Sequence, residues 1–389
     1  MRQHSPKAND TFAPSTAPRR LSTLALSHYP LQRGLSSATA MLLTIGIGLS
    51  ATIPAFAAGK NVAPLTEARP NTQRLSQNPK KAELLLVSYA VTKAAYDKII
   101  PLFEADWKKK TGQDVTINTS YGGSGSQTRA ILDGLEADIA TLSLALDTKK
   151  LEKAGLIQPG WEKELPNDAI VTKSVVALVT RQGNPKQIRT WADLVKPGVT
   201  VITANPKTSG GARWNFLGLW GAITQTGGTE EQAREFVTKV YKNAPVLPKD
   251  ARESSDVFFT KGQGDVLLNY ENEVILEGQK GNTNSFYVVP QSNVSIDNPV
   301  AVVDKNVDKH GTRKIAEAFA QFLFTPEAQR EYAKVGFRPV TNTVTKEVDK
   351  KFPKVNKLYT VKDFGGWDTI QKKFFDDGGI FDQIQSSPR

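Results

Sequence analysis

The sequence predicts an α/β protein built as two lobes, and three observations carry that prediction. Short apolar runs of strand length alternate with longer stretches whose apolar residues recur at helical spacing. Clusters of Gly, Ser and Thr sit where a strand pattern gives way to a helix pattern, the alternation expected of an α/β fold with largely parallel sheets. The 389 residues suffice for two domains or one large bilobal one, and no repeat of fixed period interrupts the pattern.

In chain order, residues 1–58 read as a signal or targeting segment. Arg19, Arg20 and Arg33 precede the apolar run MLLTIGIGLSATI (41–53), followed by PAFAAG. Ala55-Phe56-Ala57 fits the small-x-small pattern of a signal-peptidase site, with cleavage after Ala57 or Ala58. The run is shorter than the ~20 residues of a membrane span, so export is expected rather than anchoring. Residues 59–80 are polar and without apolar period, and read as a disordered linker.

The folded chain is expected to begin at AELLLVSYA (82–90), a buried-strand pattern. In TKAAYDKIIPLFEADWKKKTG, Tyr96, Ile99, Ile100, Phe103 and Trp107 lie at helical spacing and Gly112 marks the stop. QDVTINTSYGGSG is the next strand and turn, SQTRAILDGLEA a helix, and DIATLSLALD (138–147) another strand. After VTKSVVALVTRQGNP come TWADLVKPG, the strand VTVITANP, and an apolar helix after Gly211. TEEQAREFVTKVYKN, SSDVFFTKGQ, GDVLLNYENEVIL and FYVVPQ continue the alternation. NPVAVVD then leads into a helical stretch, 311–336, and residues 337–389 read as a cover over the core. The expected division gives 81–172 with 293–389 to the first lobe and 173–292 to the second.

Composition narrows the function classes. Hydrophobic content of 39% and charged content of 23% are those of a soluble globular protein. The absence of cysteine excludes a disulfide framework, a thiolate metal site and a cysteine nucleophile. The net charge of +11 raises the question of nucleic acid, but Lys and Arg are interspersed with acids and form no long basic run. No nucleic-acid partner is expected.

Loops at the carboxyl ends of parallel strands converge on one crevice. Three of them carry small residues and hydroxyls at a predicted helix start: SYAVTKA (88–94), YGGSGSQT (121–128) and TSGGARW (208–214). Helix N-termini present free N–H groups and a positive dipole end, and glycine lets a ligand approach the main chain. A single Ser124 or Ser209 is ordinarily an N-cap. Three bare loops together point to a small oxyanion. GGSGSQT lacks the lysine of a phosphate-binding P-loop, and Ser126 stands where G-x-S-x-G needs its last glycine. His310 is the one histidine outside the targeting segment, which argues against a Ser-His-Asp triad or a histidine metal site. Glu271 and Glu273 in NYENE are read as hinge or helix-end charges rather than as acid–base catalysts. Binding is expected, with no catalysis, cofactor or metal.

These residues resemble a known family, the periplasmic sulfate-binding proteins of sulfate/thiosulfate ABC importers, in their cyanobacterial form. The resemblance runs from about Leu84 to about Ile384 through VSYAVTKAAY, SYGGSGSQTRAILDGLEADIATL, NPKTSGGARWN, GDVLLNYENEV, SIDNPVAVVD, FLFTPEAQREYAKVGFRPV and FGGWD…DGGIFDQI. It implies the type II periplasmic-binding-protein fold, with a ligand cleft between two α/β lobes. It implies sulfate, or thiosulfate, as ligand and the membrane permease of an ABC importer as partner, for a periplasmic monomer. Carried over, the ligand contacts are the N–H of Ala90, the hydroxyls of Ser124 and Ser209, and the N–H groups of Gly210, Gly211 and Ala251. Tyr270 stands where the family has a donating tryptophan, and Ala90 where it commonly has aspartate. Arg129, Arg213 and Arg252 are expected to buttress loops or to pair with carboxylates such as Glu271. Phosphate or molybdate binding, and hydrolysis of sulfate or phosphate esters, are the competing readings.

Overall fold

The computed structural model describes residues 81–281 and 285–387; the targeting segment and the polar linker lie outside the described residues. Two sheets organise the chain. The first has five strands in the order β2-β1-β3-β10-β4, with β1 Lys81–Tyr89, β2 Asp114–Gly122, β3 Ile139–Thr141, β4 Ile170–Ser174 and β10 Ile296–Val302. The second has four in the order β6-β7-β5-β8, with β5 Val176–Arg181, β6 Val201–Ile202, β7 Val266–Tyr270 and β8 Ser285–Val288. A parallel pair, β9 Ser292–Val294 and β11 Lys357–Tyr359, lies beside them.

The helices follow in chain order. Around the first sheet run α1 Lys93–Thr111, α2 Ser124–Leu132 and α3 Ala145–Lys153. The segment of the second sheet contributes α4 Gly210–Thr224, α5 Glu230–Lys242, α6 Ala251–Ser255 and α7 Glu271–Gln279. After β10 come α8 Asp304–His310, α9 Arg313–Phe322, α10 Pro326–Lys334, α11 Asn342–Glu347, α12 Trp367–Ile370 and α13 Ile380–Gln385. Two α/β lobes result, as expected.

The expectation of largely parallel sheets is corrected. β1 pairs in parallel with β2 and β3, and β6 with β7. By contrast β10 is antiparallel to β3 and β4, and β5 is antiparallel to β7 and β8. The cause is the traffic between lobes. β4 runs through Val175 straight into β5, and the chain returns from β8 through β9 into β10. An outbound and a return strand side by side must run in opposite senses, and neither needs the helical crossover that parallel neighbours require. Asn293 secures this junction: its side chain accepts from the Val176 N–H at 3.2 Å and donates to the Val176 carbonyl at 2.9 Å.

Two further differences bear on the site. DIATLSLALD keeps only Ile139–Thr141 as strand; Leu142–Leu144 is a loop, and Ala145 already opens α3. The C-terminal stretch, expected in the first lobe, packs its aromatic rings on α4. Phe374 and Phe375 lie 5.3 and 5.4 Å from the Phe216 ring, Phe374 is 4.9 Å from Trp220, and the Tyr359 hydroxyl donates to the Gly218 carbonyl at 2.7 Å. This follows from the composition of α4, GGARWNFLGLWGAIT: a helix apolar on every side must be covered all round. Trp214, Phe216, Leu217 and Trp220 are all fully buried.

Candidate functional site

All seven predicted site residues meet at one place. Ala90, Ser124, Ser209, Gly210, Gly211, Ala251 and Tyr270 line one small, tightly closed cavity of about 10 Å³, joined by Tyr89, Val91, Gly122, Gly123, Ser143 and Asp250. Each is delivered by the end of a strand or the start of a helix. Ala90 follows β1, Ser124 is the first residue of α2, Ser143 follows β3, Ser209 caps α4, Ala251 opens α6, and Tyr270 ends β7.

The start of α4 is built for donation. The Ser209 hydroxyl oxygen accepts from the Ala212 N–H at 3.2 Å, and the first carbonyl-directed bond of the helix runs from the Arg213 N–H to the Ser209 carbonyl. The N–H groups of Gly210 and Gly211 are therefore left without an acceptor on the helix, and the Ser209 proton is not used by the cap. The glycines are required by close approach. A Cβ on Gly210 would lie 2.6 Å from Ser143 Oγ and 2.7 Å from a Leu144 methyl; on Gly211 it would lie 2.7 Å from the Tyr270 ring. A Cβ on Gly123 would lie 2.6 Å from the Thr208 carbonyl oxygen. The loops of the two lobes are thus in contact, closed over the cavity.

Ser124 differs from expectation. Its hydroxyl donates to Asp147 Oδ2 at 2.7 Å and accepts from the Ser143 N–H at 3.0 Å, so its only proton is held by a carboxylate. Its main-chain N–H, in the first turn of α2, has no acceptor on the helix and is the donor Ser124 has left. Asp147 is itself fully buried and faces Arg213 Nη1 at 3.3 Å and Lys150 Nζ at 3.4 Å. Burial lowers the Lys150 pKa, against the opposing pull of Asp147.

Arg213 and Arg252 act as buttresses. Arg213 donates from Nε to the Pro206 carbonyl at 2.9 Å as well as facing Asp147, and lies over the Phe375 ring. Arg252 pairs with Glu273 at 2.8 Å. Glu271, expected opposite one of these three, instead receives Arg338 in a two-pronged contact of 2.7 and 3.0 Å. Arg129 is exposed on α2. Burial raises the pKa of Glu273, and of Glu271 despite Arg338.

Two site residues escape sequence reasoning. Ser143 shares a 2.5 Å hydroxyl–hydroxyl hydrogen bond with Tyr270, and its carbonyl accepts from Trp214 Nε1 and Asn298 Nδ2, both at 2.9 Å. Asp147 is hidden in the same stretch, which reads as continuous strand. Burial holds the Tyr270 phenol far above its usual range, so it stays protonated. No cluster of three metal-ligating side chains occurs among the described residues. The arrangement can surround a small tetrahedral anion with hydrogen-bond donors.

Residues 84–338 match the family of bacterial extracellular solute-binding proteins. A sulfate-binding protein from Synechococcus elongatus is 64% identical over 78% of this chain and 87% of its own length. One from Synechocystis sp. is 62% identical over 80% and 88%. Among solved structures, the sulfate-binding protein SubI from Mycobacterium tuberculosis superimposes with a TM-score of 0.70 at 37% identity, covering 76% of this chain and all of that one.

Proposed function

This chain belongs to the bacterial extracellular solute-binding proteins, in their sulfate-binding branch with the type II fold, and on that premise we propose that it captures sulfate between its lobes and delivers it to an ABC permease. The observation that carries the ligand assignment is the start of α4. Two N–H groups without helical acceptors and one unspent hydroxyl proton face the Ala90 and Ser124 loops across the cavity.

The site stabilises charge without a cation in the cavity wall. Arg213 and Arg252 are held by Asp147 and Glu273, so neutral donors and helix ends must spread the dianion's charge. Taking a dianion out of water is expensive, and each oxygen needs donors in compensation. A micromolar receptor needs a net of about −8 kcal/mol, so donor geometry decides affinity more than buried area does. Sulfate carries no proton near neutral pH and accepts at every oxygen, which suits a cavity rich in N–H groups. Closure brings the two lobes' donors onto one ligand, and the closed form is the one that docks on the permease. The protein acts as a periplasmic monomer, released from its export segment after Ala57 or Ala58, and transforms nothing.

A thermal-shift and calorimetry series with sulfate, thiosulfate, molybdate and phosphate tests this reading. Sulfate is expected to raise Tm, since a ligand that binds only the folded state stabilises it in proportion to ln(1 + [L]/Kd). Ser209→Ala, which removes one donor to an ion, is expected to weaken sulfate at least roughly tenfold. Wild-type affinity in that variant would remove the α4 assignment, and turnover of a sulfate ester would overturn the binding-only reading.

A further inference from the structure

Resting on the oxyanion reading, we propose that Ser143 and Tyr270 form a reversible donor–acceptor pair, through which the cavity also holds singly protonated tetrahedral oxyanions such as monohydrogen phosphate. Both residues line the cavity, and their hydroxyl oxygens are 2.5 Å apart. Both also sit at the head of α4: Ser143 Oγ is 2.6 Å from the Cβ position of Gly210, and the Tyr270 hydroxyl 3.1 Å from that of Gly211. They therefore stand beside the same two N–H groups that face the ligand.

The pair has two protons and one internal hydrogen bond. One proton is consumed between the oxygens and the other is left for the cavity. A hydroxyl can donate and accept at once. With a fully ionised anion, the outer hydroxyl donates to a ligand oxygen. With a singly protonated anion, one hydroxyl oxygen accepts a hydrogen bond from the ligand's O–H and turns its own O–H toward its partner, which donates to a second ligand oxygen. Both ligand groups are then satisfied, and no bond to hydrogen is broken.

The surroundings concentrate this versatility in the pair. The Ser124 proton is fixed on Asp147, one of the two lone pairs of the Ser209 hydroxyl is engaged by Ala212, and the main-chain N–H groups only donate. Ser143 itself is held in place by its N–H on Ser124 and by two donors on its carbonyl. The buried phenol remains protonated through the physiological range. The pair can reverse its direction by rotating its two hydroxyl hydrogens, without moving its heavy atoms.

The test is calorimetry on the full-length wild type, Tyr270→Phe and Ser143→Ala, with sulfate and inorganic phosphate, on both sides of the second ionisation of phosphate. The wild type is expected to bind phosphate measurably, more weakly than sulfate, and better above that ionisation, where a single proton remains on the ligand. Tyr270→Phe keeps the ring in place. It is expected to weaken sulfate roughly threefold and phosphate roughly thirtyfold, a tenfold change in the ratio, the size of one hydrogen bond to an ion. Ser143→Ala is expected to shift the ratio in the same sense. Sulfate binding without phosphate binding, or an unchanged ratio in both variants, overturns this inference and leaves the sulfate reading intact. Failure to bind either anion overturns both.

Discussion

At the scale of single residues, the site is governed by which protons are already spent. Ser124 and Ser209 are indistinguishable in sequence, each a serine beside glycines at a helix start. In the fold, Asp147 takes the proton of one, while the other keeps its own and accepts from the helix. Sequence reasoning could identify the loops because glycine and hydroxyl clusters are local. It could not find Ser143 or Asp147, because their roles depend on partners 127 and 23 residues away. Gly210 gives a sharp test at this scale. Its Cβ position is blocked by Ser143 and Leu144, which lie in the other lobe. The clash of Gly210→Ala therefore exists only when the lobes close. Overpacking of this kind costs about 1–3 kcal/mol. Sulfate affinity is expected to fall roughly tenfold or more, while the ligand-free Tm moves by no more than about 2 °C. A large Tm loss without ligand would show that the contact is permanent rather than part of closure.

At the scale of elements, α8 shows how charge pins a helix end to a sheet. His310, at the C-terminal end of α8, places Nδ1 2.9 Å from Asp138 and Nε2 2.9 Å from Glu136, on the segment entering β3. Asp138 also accepts the Thr312 hydroxyl at 2.6 Å and the Leu85 N–H at 2.7 Å. Burial alone would lower the His310 pKa, but the hydrogen bonds to the two carboxylates outweigh it and raise it above 6.5. A raised folded-state pKa means the native protein binds this proton more tightly than the unfolded chain does. The stabilisation is therefore fully present below pH 6.5 and lost as the pH climbs through the raised value. Replacing it, His310→Gln, is expected to lower Tm more at pH 5.5 than at pH 8.5. Equal losses at both pH values would mean that packing, not protonation, is what His310 contributes. The sequence shows only a turn-like DKHGT here, since neither carboxylate is a chain neighbour. Strand-to-helix alternation was legible because it is periodic. Strand direction was not, because it depends on the route of the chain between lobes.

At the scale of the whole molecule, two lobes were readable from the number of α/β units, but what holds them shut was not. Arg213 belongs to α4 and Asp147 to α3, so their buried contact crosses the cleft. With the lobes apart both groups would be hydrated; closure strips water from them together. Leaving one member of a buried pair without the other costs about 3–5 kcal/mol, whereas replacing both with apolar groups of similar volume is often neutral. That asymmetry separates a closure latch from a local prop. Asp147→Leu strands the Arg213 cation in the closed state and is expected to weaken sulfate roughly 100-fold or more. It should also reduce the contraction in radius of gyration that sulfate induces in small-angle scattering. Adding Arg213→Met removes the stranded charge and is expected to restore at least tenfold of the lost affinity and the contraction with it. If the double variant binds as weakly as Asp147→Leu alone, the pair does not act through closure. The loss would then be traced to Ser124, whose hydroxyl loses its carboxylate partner in both variants.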